Sequence, residues 1–241
     1  MMTAMPVRSD PVTIRALAAI LIVFLAIFYW AGPIYDLVAF PMMKVLPEGT
    51  KMIATGVITP FMVPVKVTLL VAFLIALPYV LYQAWAFVAP GLYEHEKKLV
   101  LPLVFMSTVL FLAGIAFCYF FVFGAVFRFV YSWAPASITV APDIEQYLSF
   151  VLTMFLAFGV AFEVPVVLIV LVRAGMVTIE QLKGFRQYFI VGAFVIAAVV
   201  TPPDVVSQLL LAIPMCLLYE LGILLCIVAA KFSPRRDDGD E

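Results

Sequence analysis

Acidic and polar side chains set among apolar residues are the groups in this sequence best suited to chemistry. Glu163 and Glu220 each lie inside a long apolar segment, and Thr201, Asp204 and Gln208 surround a Pro-Pro turn between two such segments. A carboxylate in hydrocarbon is paired, protonated or close to water, because a lone charge there is costly. These residues predict a site that couples protons or ions, or that binds a polar group of a partner helix.

Structural roles would account for the same side chains. A protonated Glu163 that hydrogen-bonds to a neighbouring helix needs no further function. Asp204 follows two prolines, where it is a natural N-cap that accepts a hydrogen bond from the amide of Val206 or Ser207. An N-cap role does not exclude a second role for Asp204, so both interpretations stay open.

Two further carboxylates, Glu94 and Glu96, lie in the short polar connection at residues 93–98. Composition alone makes this connection an ordinary solvated turn. Trp85 and Phe87, just before it, are typical aromatic residues of a membrane interface.

Several function classes are excluded by residue counts and motifs. The chain has one histidine, His95, and its three cysteines form no CxxC pair, so we expect no metal site. No GxxxxGK[ST], GxSxG or HExxH motif occurs, and no basic patch suits a nucleic acid. We therefore expect neither an enzyme nor a cofactor.

The elements that must position these residues are membrane helices. The chain is 66% hydrophobic and 12% charged, whereas soluble domains are about 25% charged. We predict an all-α integral membrane protein, one membrane domain over residues 1–241 with six transmembrane helices at about 14–35, 66–90, 99–127, 145–172, 187–200 and 205–230. The first is expected to be a retained span rather than a signal peptide, since it ends in Tyr29-Trp30.

Basic residues predict the orientation of these helices. Of the 14 Lys and Arg residues, only Lys44, Lys51, Lys66 and Arg128 fall on the side opposite the termini. The positive-inside rule then places both termini in the cytoplasm.

Three details of the connections are also predicted. The first outward loop covers residues 40–65 and contains Pro41, and helix four begins at the capping-box pattern 143–146. Helix five, at 187–200, would be only about 20 Å long, against a hydrocarbon core of about 30 Å. Helices five and six would therefore be short, and their turn at 201–204 would lie below the outer surface.

Three stretches, at residues 85–98, 158–165 and 201–215, resemble in order the TatC family, the multispanning signal-receptor subunit of the twin-arginine protein translocase. The resemblance is collinear from about residue 29 to 232. It implies a six-span protein of the bacterial cytoplasmic (inner) membrane that binds paired-arginine signal peptides. With the single-span subunits TatA and TatB, it would export folded proteins by using the proton-motive force, in a receptor complex in which it self-associates.

The resemblance also implies roles for particular residues. Glu96 and Phe87, with Glu94 and Leu92, would bind the signal peptide. An intramembrane polar group would contact partner helices, and it comprises Glu163, Thr201, Asp204 and Gln208. Pro41 matches a structural proline of the first outward loop. The family's acidic and basic stretch before the first span is missing here, where the sequence reads Met5-Pro6-Val7-Arg8-Ser9-Asp10-Pro11-Val12.

Two other functions compete with this one. A proton- or ion-coupled transporter of small solutes would use Glu163 and Asp204 as coupling sites, although the two halves of the chain show no inverted repeat. An intramembrane protease would need a Ser-His pair or two Asp residues within spans, and His95 lies in a loop.

Overall fold

The computed structural model describes residues 10–44, 52–88, 100–133, 141–201 and 204–232. These residues are almost entirely helical, apart from an isolated β-bridge between Ile53 and Asp143. The α-helices are α1 (Asp10–Ile27), α2 (Ala31–Met43), α3 (Thr59–Val88), α4 (Val100–Phe117), α5 (Phe123–Ser132), α6 (Ile144–Phe162), α7 (Val164–Arg173), α8 (Ile179–Val200) and α9 (Val205–Phe232). A 3-10 turn, Phe28–Trp30, joins α1 to α2, and a π-helix, Cys118–Val122, joins α4 to α5.

These helices form six segments long and apolar enough to cross a membrane, as predicted. The segments are Thr13–Met43, Thr59–Trp85, Leu101–Ser132, Ile144–Arg173, Ile179–Val200 and Val205–Lys231. The first connection is shorter than predicted, because α2 continues to Met43 and α3 already begins at Thr59. Met42 and Met43, which fall within the predicted loop of residues 40–65, are therefore helical. The orientation of the termini stays a prediction.

The chain divides into two compact units, residues 1–159 and residues 160–241. In the first unit, α1 and α2 pack against α3, which packs against α4. In the second unit, α7 and α8 each pack against α9. The interpretation of the whole chain as one membrane domain stays a prediction.

Aromatic rings fill the core of the first unit around Phe123. This side chain is fully buried. Its ring centroid lies 5.6 Å from that of Phe127, 5.8 Å from Phe150 and 5.3 Å from Phe155. Ring contacts of this kind suit a membrane protein, because helices in lipid associate through close packing rather than through the hydrophobic effect.

Asp143 caps the fourth span, as the sequence predicts. Its Oδ1 accepts hydrogen bonds from the amides of Glu145 and Gln146 at 2.9 and 3.0 Å. Its Oδ2 accepts a bond from the Thr55 hydroxyl at 2.6 Å, which ties the first connection to the start of α6. The Thr55 hydroxyl, followed by the Gln146 amide, lowers the pKa of Asp143 below its ordinary value. No local pattern predicts Thr55 as a partner, because it lies 88 residues from Asp143.

The prediction that helix five begins at Gln187 is wrong. A capping box between Thr178 and Gln181 starts α8 at Ile179, so the helix has 22 residues and is about 33 Å long. The polar residues Lys183 and Arg186, which we assigned to a loop, lie on its first two turns. The prediction that helix six is short is not confirmed either, since α9 has 28 residues.

Pro41 lies inside α2, where it is buried, and not in a loop as predicted. Because proline has no amide hydrogen, it removes the usual helical donor to the carbonyl oxygen of Leu37. The Tyr119 hydroxyl donates to that carbonyl at 2.8 Å, and the Tyr147 hydroxyl donates to the next one, of Val38, at 2.9 Å. In a membrane such partners are needed, since lipid cannot satisfy a freed carbonyl.

We expect the effect of Tyr119→Phe on stability to depend on Pro41. Tyr119→Phe should lower the free energy of unfolding by about 1 kcal/mol, because it leaves the Leu37 carbonyl without this donor. In a Pro41→Ala background the new amide at position 41 can reach that carbonyl, so the same change should cost less. Thermal unfolding of the four proteins in detergent measures this coupling.

Tyr29→Phe is the matched control, because Tyr29 is 88% exposed. Equal costs of Tyr119→Phe in both backgrounds would show that Pro41 and Tyr119 act independently.

Candidate functional site

The predicted signal-binding residues surround the connection between α3 and α4. Leu92, Glu94 and Glu96 lie outside the described residues, and of Phe87 only the backbone is described, in the last turn of α3. The two helices beside the connection are joined at this end, because the Trp85 indole donates to the Ser107 hydroxyl at 3.0 Å. Trp85 is therefore more than an interface aromatic.

Glu163 lies at the interruption between α6 and α7. Its amide donates to the Val160 carbonyl, three residues earlier, at 3.0 Å, and Pro165 follows in the first turn of α7. Pro165 brings no amide donor to this turn, so the helical hydrogen bonding is interrupted here. Both carboxylate oxygens of Glu163 are buried. The residue is thus a buried side chain at the interruption between the two helices of the fourth span.

A close helix crossing lies two residues from Glu163. A Cβ atom added to Gly222 of α9 would lie 3.0 Å from the Pro165 Cα and 2.7 Å from the Leu168 Cδ1. Only glycine lets the backbones of α7 and α9 approach this closely. No sequence pattern predicts a role for Gly222, because the contact joins residues far apart in the chain.

The polar group at the turn between α8 and α9 is held within the chain. Asp204 accepts a hydrogen bond from the Ser207 amide at 2.7 Å, which confirms the predicted N-cap. Gln208 is half-buried, and its Nε2 donates to the Phe194 carbonyl at 3.2 Å.

We expected Thr201 to contact a partner helix, but it does not face outward from the hairpin. Its side chain is buried, and its hydroxyl donates to the Ala197 carbonyl of the preceding turn at 2.8 Å. A threonine near the end of a helix satisfies itself in this way without a partner helix.

An ion pair in the second unit was not predicted. Arg186 of α8 lies 2.7 Å from Glu220 of α9, measured from Nη2 to Oε2. Beside it, the Tyr219 hydroxyl donates to the Leu182 carbonyl at 2.8 Å. We had placed Arg186 in a loop, so no partner for Glu220 was apparent from the sequence.

Comparisons with known proteins assign this arrangement to a family. The family model described as "Sec-independent protein translocase protein (TatC)" matches residues 11–214. The chain belongs to the TatC family. TatC proteins are core components of the Sec-independent translocase, which is also called the twin-arginine translocase.

Relatives in this family cover most of the chain. The Haemophilus influenzae TatC protein is 50% identical over 93% of this chain and 87% of its own length. The Escherichia coli K12 protein is 48% identical over 87% of this chain and 81% of its own length.

A crystal structure titled as the twin-arginine translocase receptor TatC superposes with a TM-score of 0.79, at 41% identity, over 92% of this chain and 97% of that one. The six-helix fold is therefore that of TatC. None of these comparisons supports the solute-transporter alternative.

We expect the α7–α9 crossing to reject any larger side chain at Gly222. Gly222→Val should destabilise the protein by about 1–3 kcal/mol, because the Pro165 backbone cannot move aside as a side chain can. Gly192→Val on α8 is the matched control, since a Cβ atom there meets nothing within 4 Å. Thermal unfolding in detergent compares the two variants, and equal losses would show that the crossing is not tight.

Proposed function

We propose that this protein is the signal-receptor subunit of a twin-arginine translocase in the bacterial cytoplasmic membrane. The observation that carries the proposal is the family match over residues 11–214, together with the fold shared with a structure titled as the receptor. The substrates would be folded proteins whose signal peptides carry paired arginines, and the proton-motive force would drive their export. Both termini would face the cytoplasm, in line with the distribution of basic residues.

The connection between α3 and α4 is the proposed binding site for the signal peptide. Glu94 and Glu96 are the acidic residues of this segment, and Leu92 and Phe87 are the apolar ones. Guanidinium groups bind carboxylates through two parallel hydrogen bonds, which an ammonium group cannot reproduce. A requirement for arginine rather than lysine therefore agrees with an acidic site at the membrane interface.

The second unit is the proposed contact for the single-span partners TatA and TatB. The amide of Gln208 uses one Nε2 hydrogen on Phe194, so its second hydrogen and its Oε1 are left for a partner helix. Glu163, Thr201 and Asp204 belong to the same unit and would shape this contact rather than all touch the partner. Self-association of the receptor is part of the same proposal.

We predict that Glu96→Gln weakens binding of paired-arginine signal peptides while the protein still inserts. The loss of one charge-assisted hydrogen bond costs about 1.5–3 kcal/mol, which corresponds to a fall in affinity of about tenfold or more. Crosslinking or binding of a labelled signal peptide to the protein in nanodiscs gives the measurement.

Glu180→Gln is the matched control, because Glu180 is an exposed carboxylate in the first turn of α8. A paired-lysine peptide should bind weakly to the wild type. Undiminished binding by the Glu96→Gln protein would remove Glu96 from the site.

We predict that Gln208→Leu lowers association with TatA or TatB while signal-peptide binding is largely unchanged. Polar contacts between membrane helices average about 0.6 kcal/mol, so association should fall about threefold. Site-specific crosslinking from position 208 to a partner span gives the direct measurement, and the exposed Gln146→Leu is the control. Crosslinks only to α8 of the same chain would show that Gln208 is internal packing.

A further inference from the structure

The ion pair between Arg186 and Glu220 joins α8 and α9 far from their shared turn. Arg186 lies about 21 Å along α8 from Val200, and Glu220 lies about 22 Å along α9 from Val205. The two side chains, 2.7 Å apart, are 44% and 50% exposed. The pair therefore connects the two helices at about the same distance from the turn.

The helix face that carries Arg186 is the one that packs on α9. Leu182, Arg186 and Phe189 follow at intervals of four and three residues, which places them on one side of α8. The Leu182 carbonyl accepts a hydrogen bond from the Tyr219 hydroxyl. The rings of Phe189 and Tyr219 stack with their centroids 4.0 Å apart. Arg186 is thus part of the helix contact.

Nearer the turn, the buried side chains of α8 are small, and one polar contact joins the helices, from Gln208 Nε2 to the Phe194 carbonyl. Ala193 and Ala197 are its buried residues there. Small residues let helices approach closely, but they do not fix the rotation of one smooth helix against another. The short turn at residues 201–204 restricts sliding near the turn. The rotation of the far ends depends on the contacts made there, which are those of Tyr219 with Leu182 and Phe189 and the Arg186–Glu220 pair.

An ion pair with half-exposed side chains contributes little to stability, because its Coulomb gain is offset by the conformational freedom that two long side chains lose. Its best-attested use is to specify one arrangement among several apolar ones. We therefore infer that Arg186 and Glu220 are positioning residues, which form a clasp that holds α8 at one rotation and distance against α9.

The consequence of the clasp concerns the free surface of α8. Only 11% of the most apolar 18-residue stretch of α8 is buried inside the protein. Most of the surface of this helix is therefore available to lipid or to another helix. Tyr188, Val191 and Val195 lie on this exposed side. This step rests on the proposed function, in which TatA or TatB binds the hairpin of α8 and α9. The clasp then determines which side chains of α8 the partner helix contacts.

Distance measurements test the clasp without reference to any partner. Cys118, Cys216 and Cys226 are replaced by alanine, and spin labels are placed at Tyr188 and Leu224, which are 69% and 58% exposed. A second pair at Val199 and Val205, near the turn, is the control. In nanodiscs we expect Arg186→Glu or Glu220→Arg alone to broaden or lengthen the 188–224 distance distribution, while the control pair is unchanged.

The charge-swapped double variant, R186E with E220R, should restore the narrow distribution, since it rebuilds the pair in reverse. If a single variant does not insert, the neutral double variant R186Q with E220Q replaces it and should show the broadened distribution. Unchanged distances in the single and neutral variants, or no recovery in the swapped protein, would overturn the clasp.

Co-purification with TatB tests the positioning role. It should fall about threefold in each single variant and recover in the swapped protein, in parallel with the distances. Altered distances with unaltered co-purification would overturn the positioning role and leave only a structural one. If wild-type protein binds no TatB at all, the proposed function fails, and the spin-label distances still decide whether the clasp exists.

Discussion

Hydrocarbon cannot hydrogen-bond to a backbone, and this constraint accounts for the contacts at three irregular points of the described helices. Where α2 loses a donor at Pro41, a tyrosine hydroxyl reaches the Leu37 carbonyl from another helix. Where the fourth span is interrupted at Glu163, its amide turns back to Val160, and the start of α9 is closed by Asp204. At each of these three points a polar side chain or a tighter local hydrogen bond satisfies the backbone.

The same constraint changes how helices select their neighbours. Because lipid is as apolar as the helices, burial alone does not favour one contact over another. Specificity comes instead from shape and from a few polar contacts. In the second unit, Gly222 provides the shape, since it admits the Pro165 backbone, and Arg186 with Glu220 provides the polar contact. Gly222 fixes the position of α7 on α9, and the ion pair fixes the position of α8 on α9. The long helix α9 therefore contacts its two neighbours through different kinds of interaction.

The sequence predicts local features of this fold well and long-range ones poorly. The six spans follow from charge-free segments, and the caps at Asp143 and Asp204 follow from residues next to them. Helix five was misjudged because charged residues mark the edge of the apolar stretch and not the end of a helix, which here is set by the Thr178 cap. The Tyr119–Leu37 and Arg186–Glu220 contacts join residues 82 and 34 positions apart, and no local pattern encodes such pairs.

The division of the chain bears on how the proposed activities can be related. The proposed signal-binding segment lies in the unit of residues 1–159, and the proposed partner contact lies in the unit of residues 160–241. Distant, independent sites usually respond to substitutions additively, unless an element connects them. The chain itself supplies one such element, because the boundary falls within the span Ile144–Arg173, four residues before its interruption at Glu163. Any coupling between signal binding and partner binding that passes along the backbone therefore crosses this span close to Glu163.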